Sequence, residues 1–270
     1  MESSAHIPAK KSLGQNFLKD PFYLKKIVTA ARIGPEDQVL EIGPGLGHLT
    51  KELAARAQKV LAIELDARVI PHLREEFKAA ANIEIVQADA LTYPYEALPG
   101  RWKVAANLPY YISTPIIQRL LKCRAKFTSL TLMLQKEVAD RIAAPPGGKE
   151  YGYLSVLVQF SAEPRLEFIV PPGAFTPSPK VDSAVVTLIM RQTPVPVKDE
   201  EFLVRMIKAA FSQRRKTLRN SLKQLNLPRE AMDLVMPAVG IDLNRRAETL
   251  SVNEFCVLAD FLRPQHREKQ

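Results

Sequence analysis

Residues 39–47 read Val-Leu-Glu-Ile-Gly-Pro-Gly-Leu-Gly, an apolar run that passes directly into a glycine-rich turn. The apolar residues are typical of a buried strand, and the glycines let the backbone turn tightly and approach a ligand closely. A helical pattern follows over residues 49–57. A G-x-G-x-G loop between strand and helix is typical of a nucleotide-type site. Alone it is a weak signal, because its spacing differs from the dinucleotide fingerprint and Pro44 lies inside it.

Acidic side chains follow the next two predicted strands. Residues 60–63, Val-Leu-Ala-Ile, end at Glu64, and residues 83–86, Ile-Glu-Ile-Val, are followed by Asp89. An acid at the end of the second strand fits binding to ribose hydroxyls, and Asp89 is suited to accept a hydrogen bond from an adenine amine. Each carboxylate also has a simpler interpretation, as a helix N-cap or a solvated loop residue. Their position favours a ligand, because ligands of open α/β sheets bind at the carboxyl ends of strands.

A fourth strand-like run, Val104-Ala105-Ala106, ends in Asn107-Leu108-Pro109-Tyr110. The exocyclic amine of adenine is a poor nucleophile because its lone pair is delocalised into the ring. An Asn side-chain oxygen and a nearby backbone carbonyl can accept both N–H bonds, which frees the lone pair to attack an electrophilic carbon. Pro stiffens the turn, and Tyr offers a flat face on which the base can stack. An ordinary turn is the alternative, since Asn and Pro favour turns, but the ligand loop upstream favours catalysis.

Strands alternate with helices over the first two thirds of the chain, which predicts an α/β fold with a mostly parallel, doubly wound sheet covered on both faces. A first helix is expected from Pro21, because Asp20 is suited to an N-cap. Two later strand-like runs, Arg165–Val170 and Val181–Met190, are placed as an antiparallel addition at the sheet edge. The other predicted strands are Gln38–Ile42, Lys59–Glu64, Ile83–Gln87, Lys103–Ala106 and Leu130–Leu134.

The composition changes at residues 193–197, Thr-Pro-Val-Pro-Val, where the prolines favour an extended linker. Beyond it the pattern is helical throughout, and Ser251 with Glu254 forms a capping box for the last helix. We therefore predict an α/β domain over residues 1–193 and a small all-α domain over residues 194–270. The predicted helices of the second domain are Asp199–Ala210, Gln213–Leu225, Pro228–Val235 and Val252–Leu262.

The bulk composition, with 46% apolar and 25% charged residues, is that of a soluble globular protein. No apolar run approaches the length of a membrane span and no secretory signal pattern opens the chain, so we expect a cytoplasmic protein. Cys123 and Cys256 lack metal-ligand spacing and the four histidines are scattered, so we expect buried thiols and no metal site. The net charge of +9 favours a polyanionic partner such as nucleic acid, although a basic solvated surface is the simpler alternative.

Basic residues are concentrated between residues 205 and 229, where no acidic residue interrupts them. Such segregation is typical of a phosphate-binding footprint. The basic residues recur at helix-like intervals, so we expect many of them to share one face. The candidate RNA-binding residues are Arg205, Lys208, Arg214, Arg215, Lys216, Arg219 and Lys223.

Together these motifs resemble those of the class I S-adenosylmethionine-dependent methyltransferases that modify adenine N6, and more narrowly the ribosomal RNA adenine dimethyltransferases. Residues 10–18, Lys-Lys-Ser-Leu-Gly-Gln-Asn-Phe-Leu, are similar to that family's opening motif. Residues 175–183, Phe-Thr-Pro-Ser-Pro-Lys-Val-Asp-Ser, are similar to its late motif. Residues 211–220, Phe-Ser-Gln-Arg-Arg-Lys-Thr-Leu-Arg-Asn, resemble the C-terminal signature of its small-subunit (16S) branch. The resemblance covers residues 9–263 and implies a seven-stranded, Rossmann-like sheet.

The resemblance also implies roles for individual residues. Asn107 and Leu108 would accept the amine protons of the target adenine, while Tyr110 and Phe175 would stack on its two faces. Phe175 has an alternative as a core residue, and the segment around Gln15 has one as a flexible basic tail. The residues implied to bind S-adenosylmethionine are Gln15, Asn16, Leu18, Gly43, Gly45, Glu64, Asp89 and Asn107.

The activity implied by the resemblance is dimethylation of N6 on two adjacent adenines near the 3′ end of small-subunit rRNA. A role in small-subunit maturation, a monomeric state and a subunit assembly intermediate as substrate are implied with it. Several alternatives stay open. One is a large-subunit rRNA adenine dimethylase, and a DNA adenine methyltransferase is less favoured. Others are a protein that acts chiefly as a ribosome-assembly factor, and a small-molecule methyltransferase that makes no use of the basic segment.

Overall fold

The computed structural model describes residues 15–191, 196–213 and 215–263, and these form two compact units. The first unit comprises residues up to 139 together with 163–190, and the second comprises 140–162 together with the residues from 191 onward. No described helix is both long and apolar enough to cross a bilayer.

The first unit contains a seven-stranded sheet, whose strands are β2 (Gln38–Ile42), β3 (Lys59–Glu64), β4 (Ile83–Gln87), β5 (Trp102–Asn107), β6 (Phe127–Gln135), β7 (Ala162–Val170) and β9 (Ser183–Met190). Their order in the sheet is β4-β3-β2-β5-β6-β9-β7. The first five strands in that order pair in parallel, and β9 pairs antiparallel with β6. The prediction of a mostly parallel sheet with an antiparallel addition at its edge is therefore confirmed.

Helices flank the strands of the first unit. The first helix in the chain begins as predicted, because the Asp20 carboxylate accepts a hydrogen bond from the Phe22 backbone N–H at 2.9 Å and Pro21 occupies the first helical turn. The division between the two units falls within the last of these helices. The helices are α1 (Pro21–Ala30), α2 (His48–Ala54), α3 (Ile70–Glu76), α4 (Ser113–Lys122) and α5 (Lys136–Ala143).

The central strands of the sheet are buried on both faces, as their continuous apolar sequences require. Val39 and Leu40 of β2 are fully buried, and Val60 of β3 pairs with Val39 across the ladder. Because β2, β3, β4 and β5 are parallel neighbours, the loops after all four strands meet at one edge of the sheet. This arrangement brings the glycine-rich loop, both candidate carboxylates and Asn107 to the same place.

A second, two-stranded sheet joins the opening motif to the late motif. Strand β1 (Phe17–Leu18) pairs antiparallel with β8 (Phe175–Thr176), and Leu18 lies opposite Phe175. The Lys19 backbone N–H continues the contact by donating to the Ala174 carbonyl at 3.2 Å. The sequence did not predict this pairing, which fixes the start of the described chain against a segment more than 150 residues later.

The second unit is helical around its own apolar core. Segment 140–162 belongs to it, whereas the predicted boundary at residue 193 places that segment in the first domain. The physical reason is α6, which is buried along most of its length and contributes Val156 and Phe160 to a core shared with Met206 and Phe255. The helices are α6 (Tyr153–Ser161), α7 (Glu200–Ala210), α8 (Leu218–Ser221), α9 (Arg229–Asp233), α10 (Val235–Val239) and α11 (Val252–Leu262).

Side-chain caps begin two helices of the second unit, and the one at Ser251 and Glu254 confirms the predicted capping box. The Asp199 carboxylate accepts from the Phe202 N–H at 2.8 Å and begins α7. Ser251 and Glu254 form the reciprocal capping box of α11, with bonds of 2.8 and 3.2 Å.

Both thiols, at Cys123 and Cys256, are buried as expected.

The predicted helix over residues 213–225 is wrong. Residues 215–217 are not helical, α8 is a single short turn of helix, and a 3₁₀ turn covers 222–225. The cause is tertiary: the Leu218 and Arg219 backbone N–H groups donate to the Arg245 and Leu243 carbonyls, both at 2.9 Å. Those bonds and the complete burial of Leu218 outweigh local helix propensity. The predicted single helix over 228–235 is likewise two short helices, α9 and α10.

Candidate active site

A cleft opens at the carboxyl ends of β2, β3, β4 and β5 and measures about 1040 Å³ when its open mouth is counted. All eight residues expected to bind the cofactor line it, and so do Leu108 and Tyr110 of the expected catalytic set. The expected site residues in the lining are Gln15, Asn16, Leu18, Gly43, Gly45, Glu64, Asp89, Asn107, Leu108 and Tyr110.

Phe175 does not line the cleft in this structure. Its side chain is only 4% exposed and packs in the core of the first unit with Leu18, Leu24 and Val185. The backbone pairing with β1 holds it there. Stacking on a base would require this ring to leave the core, so the stacking role of Phe175 stays a prediction, and the core alternative describes its observed position.

The glycine loop needs glycine for two separate reasons. Gly43 and Gly45 have φ angles of +70° and +56°, a region that side chains strongly disfavour. A Cβ atom on Gly45 would also lie 2.8 Å from the Phe17 ring, whereas one on Gly43 would meet no atom within 4 Å. The loop therefore packs tightly against the opening motif at Gly45 and keeps open space at Gly43.

Glu64 is fixed at the end of β3 by the backbone around it. Its two carboxylate oxygens accept the Gly45 N–H at 3.1 Å and the Asp66 N–H at 2.8 Å. Burial nevertheless raises the pKa of Glu64 above its ordinary value. Asp89 is less buried, and its Oδ1 accepts the Leu91 N–H at 2.8 Å. Each carboxylate retains further acceptor sites, which fits hydrogen bonds from ligand hydroxyl or amine groups.

Glu41 is a cleft residue to which the sequence interpretation gave no role, although it stands at the head of the glycine loop. It is 1% exposed, lines the cleft, and its Oε2 has no hydrogen-bond partner among the described residues. Burial, with a smaller contribution from Glu64, raises the pKa of Glu41 to about 8. A buried polar atom without a partner is costly, so this position fits a ligand that donates hydrogen bonds or carries positive charge.

The opening motif is held in the cleft by two side-chain bonds. The Gln15 Nε2 donates to Asp66 Oδ2 at 3.1 Å, and the Asn16 carbonyl accepts from Asn107 Nδ2 at 3.0 Å. Hydrogen bonds from Arg68 lower the pKa of Asp66 to about 2, and the bond from Gln15 adds to this effect. The flexible-tail alternative for Gln15 and Asn16 does not describe these contacts. Asp66 has no motif signal, so sequence alone could not identify it.

The turn after β5 fixes both Asn107 and Tyr110. Because Asn107 Nδ2 is bonded to Asn16, its Oδ1 is left to accept hydrogen bonds. Leu108 is buried and its N–H donates to the Met133 carbonyl at 3.2 Å. The Tyr110 hydroxyl lies 2.6 Å from another side-chain hydroxyl, that of Ser183 in the late motif. Burial raises the pKa of Tyr110, so its hydroxyl is neutral at physiological pH.

The basic candidate residues lie in the second unit, and most of them are exposed. Arg219 differs, because it is partly buried and donates to Asp233 Oδ1 at 2.6 Å. Arg214 lies outside the described residues. These residues do not belong to one continuous helix, because α7 and α8 are separate helices; that many of them share one face stays a prediction. The exposed members are Arg205, Lys208, Arg215, Lys216 and Lys223.

The chain is similar to ribosomal RNA methyltransferases over most of its length. The model of the ribosomal RNA adenine dimethylase family matches residues 7–263. The ribosomal RNA small subunit methyltransferase A of Clostridium botulinum (strain Loch Maree) is 49% identical over 254 residues, which cover 93% of this chain and 92% of the relative.

Two solved structures extend the comparison. A dimethyladenosine transferase from Plasmodium falciparum superposes with a TM-score of 0.77 at 30% identity, covering 90% of this chain and 95% of that one. The 23S rRNA methyltransferase ErmE superposes with a TM-score of 0.70 at 29% identity, covering 92% and 99% of the two chains.

Proposed function

Since the chain belongs to the ribosomal RNA adenine dimethylase family, we propose that it dimethylates N6 of two adjacent adenines near the 3′ end of small-subunit rRNA. The methyl donor of the family is S-adenosylmethionine. The higher identity to the small-subunit enzyme than to the 23S enzyme, 49% against 29%, supports the small-subunit target. We also propose that the protein acts as a monomer in the cytoplasm, on a maturing subunit.

The orientation of the Asn107 amide is the observation that carries this proposal. Its nitrogen is committed to the Asn16 carbonyl at 3.0 Å, so its oxygen is available to accept one N–H of an adenine amine. The Leu108 carbonyl is suited to accept the other N–H. Withdrawing both protons into hydrogen bonds localises the nitrogen lone pair. No strong general base is needed, because the amine nitrogen becomes acidic only after it has formed its new bond.

Tyr110 is the proposed stacking partner of the target adenine. It lines the cleft next to Asn107, and its ring offers a flat apolar face. Stacking of a base on an aromatic side chain contributes about 1–3 kcal/mol. A base held in this cleft must leave its RNA helix, so base flipping is part of the proposal.

The residues at the strand ends fit S-adenosylmethionine, which when bound supplies an electrophilic methyl group. Glu64 would hold the ribose hydroxyls and Asp89 the adenine amine. The unpartnered oxygen of Glu41 fits a ligand that carries positive charge and N–H donors. Gly43 and Gly45 would let the backbone pass close to the ligand, and the opening motif at Gln15, Asn16 and Leu18 would cover it.

The exposed basic residues of the second unit are proposed to supply RNA affinity. Lys and Arg on a surface bind phosphates without reading sequence, so they would hold the rRNA while the cleft performs the chemistry. A protein that acts chiefly as an assembly factor would share this surface but would not need the Asn107 arrangement. A small-molecule methyltransferase would need neither basic surface nor RNA.

Methyl transfer to defined substrates tests the proposal. Radiolabelled S-adenosylmethionine is offered with undermethylated small subunits, large subunits or duplex DNA, and the product is digested to nucleosides. We expect N6,N6-dimethyladenosine from small subunits alone. Label on large subunits instead would keep the chemistry and move the target. If no substrate is labelled although the cofactor binds, methyl transfer is not the function and the assembly-factor alternative is favoured.

A further inference from the structure

The contact between Tyr110 and Ser183 joins the catalytic turn to a strand far away in sequence. The two hydroxyl oxygens are 2.6 Å apart, at the short end of the range for O–H···O hydrogen bonds. Ser183 is fully buried and begins β9, where it pairs with Gln135 of β6. It does not line the cleft, whereas Tyr110 does.

We infer that Ser183 is a positioning residue for methyl transfer: its hydroxyl fixes the Tyr110 ring as one wall of the adenine subsite. This inference rests on the proposed function, because adenine is the base that the ring would hold. Ser183 would act only through Tyr110 and would touch neither the cofactor nor the base.

The bond matters because of where Tyr110 lies. It begins a 3₁₀ turn of three residues, Tyr110–Ile112, which follows β5 and lies outside the hydrogen-bonded ladders of the central sheet. The Ser113 hydroxyl donates to the Tyr110 carbonyl at 3.1 Å and anchors the backbone. The Ser183 hydroxyl anchors the other end of the residue, at the tip of the ring. With both ends held, the ring keeps one orientation before the base arrives, which lowers the entropic cost of binding.

The identity of residue 183 also points to this role. Ser183 is a buried polar residue, whereas the next three residues of β9, Ala184, Val185 and Val186, are apolar and buried. A buried hydroxyl needs a hydrogen-bond partner, and Tyr110 provides it. Ser183 has no exposed surface, so its hydroxyl has no access to bulk water in the folded protein. Removing one partner therefore releases the ring.

A double-mutant cycle tests the inference through both ends of the bond. The variants are Ser183→Ala, Tyr110→Phe and the double variant, assayed with undermethylated small subunits. We expect each single variant to lose about five- to tenfold in kcat, as loss of one hydrogen bond predicts. The double variant should lose no more than either single one. The dissociation constant for S-adenosylmethionine, measured by calorimetry, should stay within about twofold of the wild type.

Thr187→Val is the matched control. Thr187 is a buried residue of the same strand, and its hydroxyl lies 3.2 Å from that of Thr131, so the variant also removes a buried hydrogen bond. We expect it to lower the thermal midpoint without changing kcat. If Ser183→Ala does not fold, Tyr110→Phe breaks the same bond from the cleft side.

Three results would overturn the inference: wild-type kcat in Ser183→Ala or Tyr110→Phe, equal losses in Ser183→Ala and Thr187→Val, or losses that multiply in the double variant. These outcomes differ from failure of the proposed function, in which the wild-type protein itself labels no small subunit. In that case there is no adenine subsite for the Tyr110 ring to line, and the inference fails together with the proposed function.

Discussion

The cleft of the first unit and the basic segment of the second unit are built in different ways. In the cleft, Asn107, Glu64 and Gln15 are each held by a hydrogen bond to another part of the first unit. In the basic segment, Lys208 and Lys216 extend into solvent. Methyl transfer needs atoms held in one geometry, whereas attraction to phosphate acts over several ångströms and tolerates loose side chains. The comparison predicts that substitutions in the cleft change chemistry and that substitutions in the basic segment change RNA affinity.

The largest expected effect is that of Asn107→Ala. Loss of the amide removes the proposed acceptor for the adenine amine and also the bond to the Asn16 carbonyl. We expect kcat to fall by about 100- to 1000-fold, comparable with removal of one oxyanion-hole donor. Binding to small subunits, measured by sedimentation, should be unchanged. Asn253→Ala, at an exposed position of α11, is the control and should keep wild-type kcat. If Asn107→Ala loses subunit binding as well, chemistry and RNA affinity do not reside in separate regions.

The next effect is an opposite pH dependence of stability in the two units. Burial raises the pKa of Glu41 from 4.5 to about 8. The folded protein therefore holds this proton more tightly than the unfolded chain does. The resulting contribution to stability is fully present below pH 4.5 and is lost as the pH rises through 8. Gln at this position does not titrate, so Glu41→Gln does not lose stability in this way. We therefore expect the difference in free energy of unfolding, variant minus wild type, to rise by on the order of 2–4 kcal/mol between pH 4.5 and pH 8.

Glu254 of the second unit provides the opposite case. Burial acts to raise its pKa, but hydrogen bonds from Arg245 and Ser251 outweigh burial and lower it. Its contribution to folding is therefore present above pH 4.5 and lost as the pH falls below that value. We expect Glu254→Gln to destabilise the protein at pH 7 and to matter less at pH 3. Denaturation of both variants across this range measures the two slopes, and slopes of equal sign would contradict the assignment.

A smaller effect is expected from Gly45→Ala. The substitution strains a backbone with φ of +56° and drives a methyl group into the Phe17 ring. We expect about a tenfold loss of S-adenosylmethionine affinity, because displacing Phe17 also displaces the opening motif. Gly240→Ala is the matched control in the second unit, with φ of +72° and no atom near the added methyl group. It should cost about 1 kcal/mol of stability and leave affinity unchanged. Equal affinities in both variants would show that the Phe17 contact is irrelevant.

The smallest effect per residue is expected in the basic segment. Lys208→Ala and Lys216→Ala should each weaken RNA binding by a few fold and lower the slope of log affinity against log salt by about 1. S-adenosylmethionine affinity should not change. Arg165→Ala is the control, because this exposed cation of the first unit is paired with Glu163. If the control lowers the slope of log affinity against log salt as much as Lys208→Ala does, RNA affinity is spread over the surface. The basic segment then contributes no more to RNA binding than other exposed cations do.

The parts of the fold that local sequence determines were predicted well. Strands β2, β3 and β4 have their predicted bounds, because short apolar runs flanked by turn residues fix them locally. The same holds for the caps at Asp20 and Ser251, where the signal lies within three residues of the helix start. The strand ends then place the candidate carboxylates and Asn107 together, since parallel strands share one functional edge.

The parts that distant contacts determine were not predicted. The β1–β8 pairing, the turn before α8 and the inclusion of α6 in the second core all depend on segments far apart in sequence. The same is true inside the cleft. The unpartnered oxygen of Glu41 and the bond from Tyr110 to Ser183 depend on how distant segments pack together. The spacing of residues along the sequence does not predict them.

The β1–β8 pairing has a consequence for how the protein is made on the ribosome. Synthesis delivers the opening motif first, but the strand that pairs with Phe17–Leu18 ends at Thr176. A nascent chain that stops short of that residue carries the glycine loop, Glu64 and Asn107 but lacks the strand that pairs with the opening motif. The proposed methyl-donor pocket would therefore be completed late in translation, when the beginning of the chain pairs with its later part.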